Sequence, residues 1–179
     1  MTPSQIELKL VLDAIGQELN LGTFQDRLRI QKKLYLAQLT GLDLGYRFSW
    51  YLYGPYCREL TNDAFRLAEQ IREGLRDHET RQLSPIARTL SSRATTIWGD
   101  APTGPSEDDW LELLASLHYL RHISFWPQDR RRDFDEVFAA LVDSKPRFRG
   151  RKSEASLAWA RLEQVGLIQR KVLPIAPRN

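Results

Sequence analysis

The chain of 179 residues contains a single cysteine, Cys57. That excludes an internal disulfide framework and a cysteine-based zinc site, and it fits a reducing compartment. No apolar run approaches the roughly 18 residues of a membrane-spanning helix. The opening MTPSQIELKL has no continuous apolar stretch of the kind that marks a secretory signal. These absences give the expectation of a soluble, cytoplasmic protein with no membrane partner. The ten glycines are scattered singly, so there is no phosphate-cradling loop, and no Gly-x-Ser-x-Gly elbow is present. Charge of one sign is also scarce: 26 basic against 23 acidic residues leave a net +3, which by itself argues for no particular partner. What is present is apolar and aromatic. With 42% hydrophobic and 10% aromatic residues the chain is not a disordered one, and its length can bury a self-sufficient core. A single domain over 1–179 is expected, with a subdivision at the loop GDAPTGPS (99–106), which holds two glycines and two prolines.

The periodicity is mostly helical. Leu8, Leu12, Ile15 and Leu19, with Val11 beside them, form one apolar stripe closed by Asn20 and Gly22. Thr23 then caps a helix over about Gln25 to Leu39, with Asp26 completing a capping-box-like arrangement. Its apolar residues Leu28, Ile30, Leu34, Tyr35, Leu36 and Leu39 cover much of the circumference and mark a buried central helix, leaving Arg29, Lys32 and Lys33 to share the remaining face. From Tyr46 the period changes to two, with Tyr46, Phe48, Trp50 and Leu52 on one side and Arg47, Ser49, Tyr51 and Tyr53 on the other. Gly54-Pro55 breaks this strand or extended arm. Further helices are predicted on Leu60, Ala64, Leu67 and Ile71; on Ile86, Leu90 and Ile97 after the Ser84-Pro85 cap; on Trp110, Leu113, Leu114, Leu117 and Leu120 after Ser106; on Phe134, Val137, Phe138 and Leu141; and on Ala155, Ala158, Trp159, Leu162 and Val165, up to Gly166. The fold class is therefore mainly α, about seven helices with a small β element at 46–53. The ending LIQRKVL reads as a short strand and gives the C-terminal part a winged-helix-like outline.

No enzyme constellation emerges. His118 and His122 stand at i, i+4 and could share a metal, but HYLRH lacks the Glu of a zinc-protease helix. Cys57, just after an aromatic block, is more often a small core or cap-turn residue than a nucleophile. Asp108 and Asp109 are adjacent, so they project to different faces of a helix. No cofactor is expected, and an enzyme built on His118/His122 is the third reading.

Two binding readings precede it. Tyr51, Tyr53, Tyr56 and Arg58, with Arg29, Lys32 and Lys33 nearby, have the composition of a protein-interaction hot spot. The alternative is a winged-helix-like DNA-binding regulator using Arg130, Arg131, Arg132, Arg147, Arg149, Arg151, Lys152 and Arg161, although the connection 143–152 is longer than a helix-turn-helix prefers.

The residues RLRIQKKLYLAQ and YRFSWYLYGPYCREL also carry a likeness. The basic QKK helix, the aromatic extended segment and the Gly-Pro-Tyr turn before a leucine-bearing helix resemble the YwgA-like proteins and the related Panacea or SocA-type domains. DDWLELLASLHYL, KPRF and the final GLI add to it, so the resemblance spans about residues 5–170; Cys57 stands where serine is more usual. It implies a non-catalytic role of antitoxin or defence-accessory type that masks a toxin or defence component, and it carries over no catalytic residue.

Overall fold

The computed structural model describes residues 1–122 and 132–169. Seven α-helices run in order: α1 (Pro3–Ala14), α2 (Phe24–Gln38), α3 (Arg58–Arg72), α4 (Pro85–Trp98), α5 (Glu107–His122), α6 (Phe134–Ser144) and α7 (Lys152–Gln164). Between α2 and α3 lies a two-stranded antiparallel hairpin, β1 (Ser49–Tyr51) and β2 (Gly54–Tyr56). The helix starts are chemically specified. Thr2, Thr23 and Asp133 close full capping boxes with Gln5, Asp26 and Glu136, and Ser84 caps α4 ahead of Pro85.

α5 is the axis of the molecule and packs against α2, α4, α6 and α7. Every residue from Trp110 to Leu120 is buried. One continuous core joins Leu8 and Leu12 of α1, Leu34 and Leu36 of α2, Leu60 of α3, Ile97 of α4, Leu113 and Leu117 of α5, Leu141 of α6 and Leu162 of α7. It thus runs through both sides of the 99–106 loop. No helix among the described residues is long and apolar enough to cross a membrane.

Three expectations are corrected. First, Lys32 and Lys33 do not share a solvent face: they are 2% and 8% exposed, because α5 and the hairpin cover the side of α2 that its apolar residues leave open. Second, Gly54-Pro55 does not end the strand but starts its partner. Leu52 and Tyr53 form the loop without left-handed backbone, and the positive φ the reversal needs falls on Gly54 (φ 88°). The inward alternation therefore holds for Tyr46, Phe48 and Trp50 and stops at Leu52, which sits in the loop and is 70% exposed. Third, residues 167–169 after α7 form no strand, and the rest of LIQRKVL lies outside the described residues. Between α6 and α7 runs a short 3₁₀ turn, Pro146–Phe148, whose Phe148 is fully buried.

Candidate functional site

The hairpin is held from below by α2. The Gln31 side-chain amide brackets the Cys57 backbone, donating from Nε2 to its carbonyl (2.8 Å) and accepting its N–H at Oε1 (2.9 Å). Lys32 Nζ donates to the Pro55 carbonyl at 2.7 Å. Pro55 faces Trp50 across the hairpin, and its carbonyl is turned to the Lys32 ammonium. The QKK helix and the Gly-Pro-Tyr-Cys turn are thus one structural unit. Cys57 is the buried N-cap of α3, its thiol donates to Glu59 Oε2 at 3.2 Å, and burial pushes its pKa up.

Beside Lys32 lies a second buried ammonium. Lys145 Nζ donates to Glu112 Oε1 (2.8 Å) and Ser116 Oγ (3.1 Å) of α5, and it sits 4.7 Å from the centre of the Trp50 ring. Glu112 and Ser116 are i, i+4 on α5, so they face the hairpin together. Gly54 closes the cluster: a Cβ there would lie 2.4 Å from Ser116 Oγ, 3.1 Å from Lys145 Nζ and 3.6 Å from Lys32 Nζ. Two buried ammonium groups therefore lie near one buried carboxylate, which Lys145 contacts directly and Arg147 also pairs with. Burial drives Lys32 down to about 7, helped by the charge of Lys145 and opposed by Glu112. Burial likewise lowers Lys145 to about 8, with Glu112 holding it up.

A stability signature follows. Between about pH 7 and the ordinary lysine value near 10.5 the unfolded chain keeps a proton on Lys32 that the folded protein has shed. The contribution of Lys32 to stability therefore rises with pH across that window, by at most about 1.4 kcal/mol per pH unit, and below about pH 9 the raised pKa values of Cys57, Tyr35 and Tyr46 oppose it little. Urea unfolding is expected to show a more stable protein near pH 9 than near pH 7, and Lys32→Met is expected to make that rise shallower. A wild-type stability flat or falling over this interval would contradict the buried, poorly compensated ammonium.

Around this centre the acidic start of α5 is neutralised from two sides. From α2, Arg29 grips Asp108 (2.6 and 3.3 Å) and Lys33 pairs with Glu107 (3.0 Å). From the other side, Arg147 pairs with Asp109 (2.8 Å) and Glu112 (2.6 Å), and Arg151 pairs with Asp109 (2.9 Å) and Glu154. Lys152 pairs with Asp135 at 2.7 Å. Arg161 donates to the Ile97 carbonyl at the end of α4 (3.3 Å) and covers Gly99. Arg149 is exposed and makes no ion pair among the described residues, and Arg132 is half-buried. Arg130 and Arg131 lie outside the described residues. The histidines are occupied too: His118 Nδ1 shares a 2.8 Å hydrogen bond with Tyr35 Oη, and His122 Nε2 donates to the Leu167 carbonyl at 3.0 Å. Burial, with His122 alongside, lowers His118 to about 3, so it is neutral at physiological pH. Among the described residues no group of three metal-ligating side chains assembles around them.

The aromatic block is divided between inside and outside. Phe48 packs edge-on against Tyr35 (ring centres 5.2 Å apart) and Trp50 lies on Tyr119 (5.6 Å). On the outer side Tyr51, Leu52 and Tyr53 are 58%, 70% and 41% exposed, and Tyr53 leans on Phe24 at the start of α2 (4.6 Å), itself 43% exposed. Tyr56 is half-buried against Tyr51, and Arg58 is exposed on the first turn of α3. The structure therefore brings Tyr51, Tyr53, Tyr56 and Arg58 together and withdraws Arg29, Lys32 and Lys33 into ion pairs or the interior. The sequence reading missed Leu52 and Phe24 on the surface, and Glu112, Ser116 and Lys145 beneath it.

The chain matches no family model, and no curated protein or solved structure is significantly similar to it.

Proposed function

We propose that the protein is a non-catalytic interaction module of antitoxin or defence-accessory type, which acts in the cytoplasm by masking a partner protein through the tip of the hairpin. The observation that carries this reading is the clustering of exposed apolar surface. Of the seven large hydrophobic side chains exposed among the described residues, Phe24, Tyr51, Leu52 and Tyr53 fall at one place. Aromatic side chains on a rigid support are what interface hot spots are made of. The support is rigid because Gln31 and Lys32 tie the β2 side to α2 at Cys57 and Pro55, and Gln38 ties the incoming segment at Tyr46. The resemblance of residues 27–60 to YwgA-like and Panacea or SocA-type proteins points the same way.

The alternative, a DNA-binding regulator, draws on basic residues of which Arg147, Arg151, Lys152 and Arg161 are already engaged within the chain. Binding to random duplex at low salt, lost steeply as salt rises, would favour it over the interaction reading.

The test is co-expression with the product of the adjacent gene. That product is expected to arrest growth alone and to be neutralised, in a stable complex, by the wild-type chain. Tyr53→Ala and Arg58→Ala are expected to lose the complex and the rescue while melting within a few degrees of wild type. A complex and rescue unaffected by these changes would contradict the reading.

A further inference from the structure

The hairpin carries two neighbouring recesses, and they differ in chemistry. The first, about 260 Å³, is walled mainly by Phe24, Leu28, Leu52 and Tyr53, with Arg27 and Lys32 also on its lining and no acidic residue. The second, about 760 Å³, opens between Arg47 and Arg58. Tyr51 and Tyr56 line both recesses, and their rings, 5.5 Å apart, form the partition. Glu59 is the one acid on the second recess; it accepts from the Cys57 thiol and stays ionised beside Arg58, so with Arg47 and Arg58 the recess keeps one net positive charge. Arg47 is exposed and makes no ion pair among the described residues. An apolar slot therefore adjoins a cationic one across a shared aromatic wall.

From this juxtaposition we infer the class of partner: an acidic protein segment that seats one large apolar side chain in the slot and sets a carboxylate near its neighbour against Arg47 and Arg58. The inference rests on the interaction reading above and narrows it. Charge complementarity selects the occupant. The apolar residue supplies contact area, and the carboxylates meet arginines, which bind them in a bidentate fork. A second copy of this chain offers no such segment from its own acidic-apolar run. In SEDDWLE (106–112), Trp110 is 3% exposed and Glu107, Asp108, Asp109 and Glu112 are all ion-paired within the fold. A nucleic acid would need a longer track of cations than this tip provides.

A random dodecapeptide library displayed on phage and selected against the full chain tests this. Enriched peptides are expected to pair a bulky apolar residue with Asp or Glu within two positions. Binding of the synthetic consensus peptide is expected to fall at least roughly tenfold in Leu52→Asp and in the Arg47→Glu, Arg58→Glu double variant, and to weaken with salt. All these changes lie on exposed side chains, so circular dichroism melting should remain near wild type. Enriched peptides that need Leu52 but carry no acids would overturn the acidic class while leaving the interaction reading intact. Self-association abolished by Leu52→Asp would make a second copy the occupant. Binding of single-stranded oligonucleotides in place of any peptide would overturn both readings, as would the absence of any enrichment.

Discussion

Gly54→Ala is expected to destabilise the protein by roughly 2–5 kcal/mol, combining about 1–2 for a left-handed backbone and about 1–3 for forced overpacking. Gly54 has φ 88°, and its missing side chain leaves the space that Ser116 Oγ occupies 2.4 Å from the would-be Cβ. Behind that hydroxyl stand Lys145 and Lys32, themselves fixed by Glu112 and the Pro55 carbonyl, so nothing yields cheaply. Gly45→Ala provides the comparison, since Gly45 also has positive φ (74°) but no atom within 4 Å of its would-be Cβ. It is expected to show the backbone cost alone. Chemical denaturation of the two variants measures the difference, and equal losses would mean that the hairpin does not rest on the lysine cluster.

Glu112→Gln is expected to have an effect of similar size, about 3–5 kcal/mol, because it removes the carboxylate from a buried ion pair and strands the cation. Glu112 is 1% exposed and accepts both Lys145 (2.8 Å) and Arg147 (2.6 Å). It is also the anion that keeps Lys145, and more weakly Lys32, from losing its proton. With it gone both amines are driven further down, so the folded variant sheds protons that the unfolded chain keeps. The loss is therefore expected to be larger near pH 6 than near pH 9, where neutral amines tolerate the change. Urea unfolding at the two pH values checks this, and a loss independent of pH would assign the defect to packing or to the permanently charged Arg147 rather than to the two lysines.

Much of the fold was legible because its causes are local. The caps at Thr23 and Ser84, the stripes of α1, α3 and α6, and the alternation from Tyr46 to Trp50 all follow from neighbours within a turn or two. The site was legible only on its outer side, where Tyr51, Tyr53, Tyr56 and Arg58 stand together. Lys32 and Lys33 were misread because a lysine opposite an apolar stripe is normally solvated, and no local pattern reveals a cover that arrives from α5 and the hairpin. Their partners at Glu107 and Pro55, like the Lys145 partner Glu112, are fixed by tertiary packing alone. One signal was available. Glu112 and Ser116 interrupt, four residues apart, a helix that is apolar on nearly every other face, and the acidic 106–112 run has charge to match the basic 145–152 run. Gly54-Pro55 looks like a breaker because glycine-proline usually is one; in the fold the glycine completes a reversal begun by Leu52 and Tyr53.

The central claim is that the hairpin tip is a recognition surface mounted on, and separable from, the buried cluster that holds it. Its most direct measurement is the dissociation constant of the partner complex for Leu52→Asp, taken together with the melting temperature of the free variant. The expected result is binding weakened at least roughly tenfold with melting essentially unchanged. Unaltered affinity, or a loss of affinity that only tracks a loss of stability, would contradict the claim.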